Sequence, residues 1–151
     1  MTIAVNPLAV SASIASLTVT GVTIKDLGSI PTSVDVLTPI IIPRPNDFIT
    51  SIEAVNQSFG SMGNQAQDFT YTLNYIFLFA PVGSGESAFT PYDDMLTKLI
   101  VAVNVILNND VVSGLVDMQL EYITDIGSID DPAGNSYWGC FFGLRCLEFG
   151  R

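Results

Sequence analysis

The residue types that most often carry enzyme chemistry are sparse in this sequence. There is no histidine in 151 residues, and serine and cysteine hydrolases ordinarily need a histidine to take the proton of the nucleophile. A lysine acting instead would have to be Lys25 or Lys98. Lys98 falls among apolar positions of a predicted helix, where a lysine normally runs along the surface with its ammonium group in water. The sequence therefore predicts no catalytic triad.

Paired carboxylates are the remaining candidates for acid–base chemistry, and each pair has a simpler structural role. Asp93–Asp94 suits a helix start, Asp130–Asp131 suits a turn, and Asp117 with Glu121 suits the solvated side of a strand. A calcium site formed by Asp125 and Asp130–Asp131 does not have the ligand spacing of an EF-hand loop. We therefore expect no catalytic residue, no cofactor and no metal site.

Two further patterns predict no site. Cys140 and Cys146 are six positions apart, which in a strand separates them by about 20 Å, too far for an internal disulfide. We expect both thiols to be reduced and buried. The segment PVGSGES at 81–87 contains glycines but no lysine, so it lacks the pattern of a phosphate-binding loop.

The composition is apolar and acidic. Hydrophobic residues make up 48% of the chain and charged residues 13%, with 15 acidic against 5 basic side chains and a net charge of −10. So few charges leave apolar surface uncovered on a monomer, which favours contact with other subunits; the alternative is an aggregation-prone monomer. The negative charge disfavours gripping a nucleic-acid backbone, but an acidic wall lets a polyanion pass without adhering.

The sequence predicts neither a membrane-spanning segment nor a leader. No apolar run reaches the roughly 18 residues of a membrane span. The apolar N-terminus lacks basic residues and is interrupted at Asn6-Pro7, so we interpret it as mature sequence.

The first half of the chain predicts a helix and two strands. Asn6 and Pro7 suit the cap and first position of a helix that continues to about Leu17. Its predicted apolar face comprises Leu8, Ala9, Ile14 and Leu17. The segment 21–30 is interpreted as a connector, VDVLTPIIIP at 34–43 as a short edge strand, and 48–59 as a further strand.

The second half has clearer patterns. Residues 70–80 alternate between apolar and polar up to Asn74, which predicts a strand, and the next residues are apolar on both faces. A helix is predicted from the cap Thr90 to the stop at 108–110. Its predicted apolar stripe comprises Leu96, Leu99, Ile100, Val103, Ile106 and Leu107.

Two strands complete the predicted fold. A strand from Val116 presents Val116, Met118, Leu120 and Tyr122 to the helix, a loop follows at 125–136, and the last strand covers 137–149 with Gly139 and Gly143 as points of close approach. The prediction is one α+β domain over 1–151, with a single mainly antiparallel (mixed) sheet of about four to five strands and two helices packed on one face.

The succession of these segments resembles the tail terminator and related neck proteins of long-tailed (siphovirus-type) bacteriophages. The resemblance rests on the N-terminal helix, the connector GVTIKDLGSIP, the proline-rich strand PIIIPRP, the strand YTLNYIFLF with its VGSGE loop, the helix PYDDMLTKLIVAVNVILNND and the last strand DPAGNSYWGCFFGLRCLEF. It covers nearly the whole chain and depends on order and length.

The resemblance implies a non-enzymatic virion protein of the tail or neck, made in the host cytoplasm. Such a protein forms a hexameric ring at the head-proximal end of the tail tube, ends tube polymerisation and contacts both the tail tube protein and the head–tail connector or adaptor. DNA passes through the lumen without specific binding. The alternatives are another neck component, such as a head-completion or adaptor ring, a carboxylate-dependent hydrolase, and a secreted binding domain.

Two groups of residues are candidate site residues under this resemblance. Asp117, Glu121 and Asp125 either line the lumen or face solvent. The candidates for a subunit interface are Ile40, Ile41, Ile42, Tyr137 and Trp138, the last of which is equally suited to the core. The glycine-bearing loops at 60–68 and 80–90 are candidates for ordering on assembly.

Overall fold

The computed structural model describes residues 6–30, 38–55, 68–83, 90–108, 116–130 and 133–149. In chain order the elements are α1 (Pro7–Ala15), β1 (Thr23–Ile24), a 3-10 turn (Leu27–Ser29), β2 (Ile40–Pro43), β3 (Ile52–Val55), β4 (Asp68–Pro81), α2 (Thr90–Leu107), β5 (Val116–Asp130) and β6 (Ser136–Glu148). The strands form one sheet in the order β1-β2-β4-β6-β5, and β3 also pairs with β4.

The predicted fold class is confirmed. β1 and β2 are parallel and the remaining strand pairs are antiparallel. Both helices contribute side chains to one core on one face of the sheet. The sheet has six strands rather than four to five, because the predicted connector contains β1, which pairs with β2 through Thr23↔Ile40 and Ile24↔Ile41.

The centre of the sheet is the long pair of β4 with β6, which runs from Phe69↔Glu148 to Pro81↔Tyr137. The predicted alternation within 70–80 is confirmed on β4. Side chains that point to the helices are buried, namely Tyr71, Leu73, Tyr75 and Phe77 from β4 and Cys140, Phe142, Leu144 and Cys146 from β6. We refer to this as the helix face of the sheet.

Helix α1 begins where the sequence predicts. Asn6 caps it, with its Oδ1 accepting the Ala9 N–H at 3.2 Å, and proline follows at the first position. The helix ends at Ala15 rather than at about Leu17. Its buried residues are Val10, Ser11 and Ile14, whereas Leu8 is 60% exposed, so the predicted apolar face was wrong in part.

Helix α2 has the predicted extent but a slightly rotated buried face. Its buried side chains are Met95, Leu99, Ala102, Val103 and Ile106. Leu99, Val103 and Ile106 confirm the predicted stripe, whereas Ile100 is 44% exposed. Met95 and Ala102 complete the 3/4 spacing on the inward side instead, and the small side chain of Ala102 permits a close approach to the sheet.

Strand β2 is not an edge strand, contrary to the prediction. β1 pairs with one side of it and β4 with the other, through Ile40↔Leu78 to Pro43↔Tyr75. Its prolines stand before and at the end of the strand, so the three isoleucines between them keep their N–H groups for pairing. Of the predicted strand at 48–59, the structure has β3 at Ile52–Val55.

Strand β5 departs most from the prediction because it contains two register shifts against β6. The first lies between Leu120 and Tyr122. The sequence pattern predicts Tyr122 on the helix face, but this register shift turns its side chain to the opposite face. The second lies between Thr124 and Gly127, with Asp125 at φ 54° and Gly127 at φ 146°. These bulges let β5 continue to Asp130 through residues predicted as a loop.

Gly139 and Gly143 are points of close approach, as predicted. A Cβ at Gly139 would lie 2.0 Å from the Phe77 backbone oxygen, and a Cβ at Gly143 would lie 2.3 Å from Cε1 of Tyr122. Glycine therefore permits the contact of β6 with β4 at the first position and the packing of a tyrosine ring across the strand at the second.

Several predictions fall outside the described residues. They include most of the loops at 60–68 and 80–90, residues 34–37 and 56–59 of the two strands predicted in the first half, the end of the helix stop at 109–110, and Asp131.

Candidate functional site

The sheet face opposite the helices is divided into an apolar half and a polar half. In the apolar half, Ile40, Ile42, Ile76, Leu78, Ile129 and Tyr137 form a second buried cluster. The polar half begins beyond Asn74, Gly143 and Tyr122. We call it the polar face, and its side chains are Glu53, Val55, Thr70, Thr72, Asp117, Gln119, Glu121, Arg145 and Leu147.

Strand register aligns these side chains in rows across the sheet. One row follows the pairs Glu53↔Thr70, Thr70↔Leu147 and Leu147↔Asp117. The next row contains Thr72, Arg145 and Gln119. Because successive residues of a strand point to opposite faces, every member of these rows points away from the helices.

Two open grooves run over the polar face. One has a volume of about 290 Å³ and is lined by Val55, Thr70, Asp117, Gln119, Arg145 and Leu147. The other has a volume of about 190 Å³ and is lined mainly by hydroxyl and charged side chains. Thr70 and Arg145 line both grooves, so they lie at the point where the grooves meet.

Carboxylates outnumber cations on the polar face. Arg145 lies 3.8 Å from Glu121, with 54% and 37% of the two side chains exposed. A surface pair of this kind contributes about 1 kcal/mol at most. Glu121 also accepts a hydrogen bond from the Thr72 hydroxyl at 2.5 Å. Glu53 and Asp117 are exposed at the two ends of their row, so the face has a net negative charge.

A hydrogen-bonded group fixes the boundary of the polar face. The Tyr122 hydroxyl donates to Asn74 Oδ1, and Asn74 Nδ2 donates to the Asp47 backbone oxygen at 2.9 Å. Arg44 pairs with Asp47 at 2.6 Å and lies over the Phe141 ring, 4.8 Å from its centre. Burial raises the pKa of Tyr122, which keeps its hydroxyl a donor.

The structure brings together two of the three predicted acidic site residues. Asp117 and Glu121 each line a groove beside Arg145. Asp125 is exposed but belongs to the second bulge of β5, where its φ of 54° takes it out of the strand alternation. It is not among the residues lining either groove.

The predicted interface residues are mostly inside the domain. Ile40, Ile41, Ile42 and Tyr137 are each 0% exposed. Their side chains are occupied by packing within the chain, so they do not form a surface for a neighbour in this conformation, and this expectation is corrected. Trp138 is half-buried on the helix face, with its ring centre 6.5 Å from that of Tyr92.

No protein-family model matches the sequence, and no curated protein matches it. The polar face and the composition are therefore the observations that bear on function.

Both thiols of the described residues are buried. Burial raises the pKa of both Cys140 and Cys146 to about 12, so neither thiol is a thiolate at neutral pH. No three histidine, cysteine, aspartate or glutamate side chains within the described ranges are placed to share a metal ion. Within the same ranges, neither helix combines the length and apolarity needed to cross a bilayer.

Glu53 and Arg145 are the charged members of the polar face that the sequence did not indicate. Glu53 stands alone between apolar residues of a short strand, so nothing in its spacing indicates that it shares a row with Asp117. Arg145 interrupts an aromatic strand that the sequence predicted, and a lone charge in such a strand is a signal for an uncovered face. Its pairing with Glu121 could not be predicted from the sequence, because it depends on the register of β5 against β6, which the first bulge alters.

Proposed function

We propose that this protein is a structural ring subunit of the tail terminator type and that the polar face lines the lumen through which DNA passes. The observation that carries the proposal is the net acidic sheet face, left open by the residues that the structure describes, in which Glu53, Asp117 and Glu121 surround the cation Arg145. A lumen wall of this charge repels the phosphate backbone and keeps the polyanion moving.

The distribution of apolar residues supports assembly into a ring. Ile100 and Val101 lie on the outer side of α2 with 44% and 47% exposure, and Leu8 and Ile52 are exposed at 60% and 46%. These side chains lie in different parts of the molecule, as expected for a head-to-tail contact in which two unlike surfaces meet. The low share of charged residues in the chain, 13%, is consistent with such contacts.

In this proposal the protein has no catalytic role. Its ring, with six subunits as the resemblance implies, caps the head-proximal end of the tail tube in the virion and ends tube polymerisation, while its lumen stays open to DNA. One rim binds the tail tube protein and the other binds the head–tail connector.

The assembly is tested with purified protein alone and mixed with tail tubes. Light scattering is expected to give a species of about six subunits, or a monomer that forms rings on tube ends, and electron microscopy is expected to show the rings. Binding to the portal complex instead of tube ends would make the protein another neck component. A monomer that ignores both partners would refute the proposal.

The lumen assignment is tested by moving positive charge to the polar face. The pair Glu53→Lys and Asp117→Lys is expected to make assembled rings retain double-stranded DNA, in a salt-sensitive manner. The control pair, Asp93→Lys and Asp94→Lys, changes the net charge equally but on the exposed side of α2. DNA retention is measured by co-sedimentation. Equal retention by both pairs would refute the assignment of the polar face to the lumen.

A further inference from the structure

The contact between α1 and the sheet buries two hydroxyl groups that have no hydrogen-bond partner among the described residues. They belong to Ser11, which is 2% exposed, and Tyr75, which is 1% exposed. Burial raises the pKa of Tyr75, and the Ser11 hydroxyl is near enough to oppose this rise, but the pair does not reach hydrogen-bond geometry. Docking of α1 therefore removes two hydroxyls from water without full compensation.

A buried carboxylate holds the beginning of α1 against this penalty. Glu148, at the end of β6, is 6% exposed. Its two oxygens accept the Asn6 N–H at 3.1 and 3.3 Å, and one of them accepts the Tyr71 hydroxyl at 2.9 Å. Because Asn6 is the cap of α1, these bonds tie the first turn of the helix to the last residue of the sheet.

The helix has little stability of its own. It has nine residues, PLAVSASIA, and isolated helices shorter than about 12–15 residues are marginal in water. Val10 and Ile14 are its fully buried apolar residues, whereas Leu8 points to solvent. Its position therefore depends on the Glu148 bonds and on Val10 and Ile14, with a smaller contribution from the partly buried Ala15, opposed by the two hydroxyls.

We propose that α1 is a separately detachable arm, held by Glu148, whose release uncovers the Tyr71–Tyr75 part of the helix face while the rest of the domain stays folded. The register of the sheet makes the two thiols reporters of this motion. Cys146 is the partner of Tyr71, beside Glu148, whereas Cys140 is the partner of Phe77, farther along the sheet. Release of α1 exposes Cys146 and leaves Cys140 covered.

The proposal is tested by thiol labelling of the full chain in native buffer. Cys140→Ala leaves Cys146 as the only thiol, and Cys146→Ala leaves Cys140. Since both thiols are buried and protonated, labelling with a disulfide reagent reports opening. Cys146 is expected to react at least about tenfold faster than Cys140 and faster than global unfolding, as a sub-global opening requires.

Two variants then separate the contributions to the arm. Glu148→Gln weakens the bonds to Asn6 and is expected to raise the labelling rate of Cys146 about tenfold, with Cys140 unchanged. Asp94→Asn, an exposed carboxylate on α2, is the matched control and is expected to leave both rates unaltered. Replacing both unpartnered hydroxyls, by Ser11→Ala with Tyr75→Phe, is expected to slow Cys146 labelling about fivefold.

Equal labelling of the two thiols, at the rate of global unfolding, would overturn the proposal. So would a Glu148→Gln effect that is the same for both thiols. If circular dichroism shows that Glu148→Gln does not fold, the double hydroxyl variant decides: slowing of Cys146 alone supports the arm, and equal slowing of both thiols refutes it. None of these outcomes depends on ring assembly, so the arm and the proposed function are tested independently.

Discussion

Replacing Gly139 with alanine probes the central strand pair directly. The added Cβ would lie 2.0 Å from the Phe77 backbone oxygen, whereas real Cβ contacts are essentially never below 3.0 Å. The two strands must therefore separate by at least about 1 Å at this point. A backbone hydrogen bond between them that has a normal N···O distance is then stretched beyond hydrogen-bond range. Overpacking of this kind costs about 1–3 kcal/mol, and each lost hydrogen bond adds about 1 kcal/mol.

The expected loss for Gly139→Ala is therefore about 3 kcal/mol, which for a chain of this size lowers Tm by about 6–12 °C. Urea unfolding, followed by Trp138 fluorescence, measures the loss with an unchanged m-value. Gly28→Ala is the control, since its Cβ would lie 3.8 Å from an Asp26 carboxylate oxygen, and its effect is expected within about 0.5 kcal/mol. A Gly139→Ala protein as stable as the control would refute the register of β4 and β6.

Two further predictions concern burial and the tyrosine at the boundary of the polar face. Burial raises the pKa of Cys140 and Cys146 from 9.0 to about 12. Between pH 9 and pH 12 the thiols therefore ionise in the unfolded state but not in the folded state. The free energy of unfolding is expected to fall with rising pH in this range by about 1.4 kcal/mol per thiol per pH unit. Urea unfolding at pH 8 and 10 measures this, and Cys140→Ala with Cys146→Ala should reduce the slope. Gly143→Ala is expected to lower the free energy of unfolding by about 1–2 kcal/mol, because the added Cβ displaces the Tyr122 ring. In a double-mutant cycle, the same substitution should cost less when Tyr122 is already alanine. An equal cost in both backgrounds would contradict the packing of Tyr122 across Gly143.

Local chemistry predicted those parts of the fold that depend on neighbours in sequence. The cap at Asn6 with Pro7 is a property of the chain at that point, and it places the start of α1 correctly. The alternation from Tyr71 onward reports two environments on one strand, so it predicts β4 and its doubly covered end. Gly139 and Gly143 were recognisable because an aromatic strand tolerates glycine mainly where another group approaches closely.

The errors arose where contacts distant in sequence decide the outcome. A bulge shifts the strand register by one residue without any change in the apolar–polar pattern of the sequence. The alternation of Glu121 and Tyr122 therefore did not indicate that Tyr122 points away from the helices. The same applies to β1, whose two residues form a strand only because β2 is available as a partner. Ile100 fits an apolar stripe as well as Met95 does, and the angle at which α2 meets the sheet selects between them.

The polar face and the arm lie at the same end of the sheet, and this gives that end a distinct character. At Ile76 and Leu78, β4 is packed on both faces, by the helix-side core and by the second cluster. At Thr70, which is 7% exposed, and at Thr72, one face lines the open grooves, and at Tyr71 the other face lies beside the Glu148 bonds that hold the first turn of α1. The second apolar cluster does not reach this end of β4, although β3 and β6 pair with it on both sides. Since fewer apolar contacts lower local stability, we expect stability to decrease along β4 toward Thr70, and the open grooves there are a surface that a neighbouring subunit can cover.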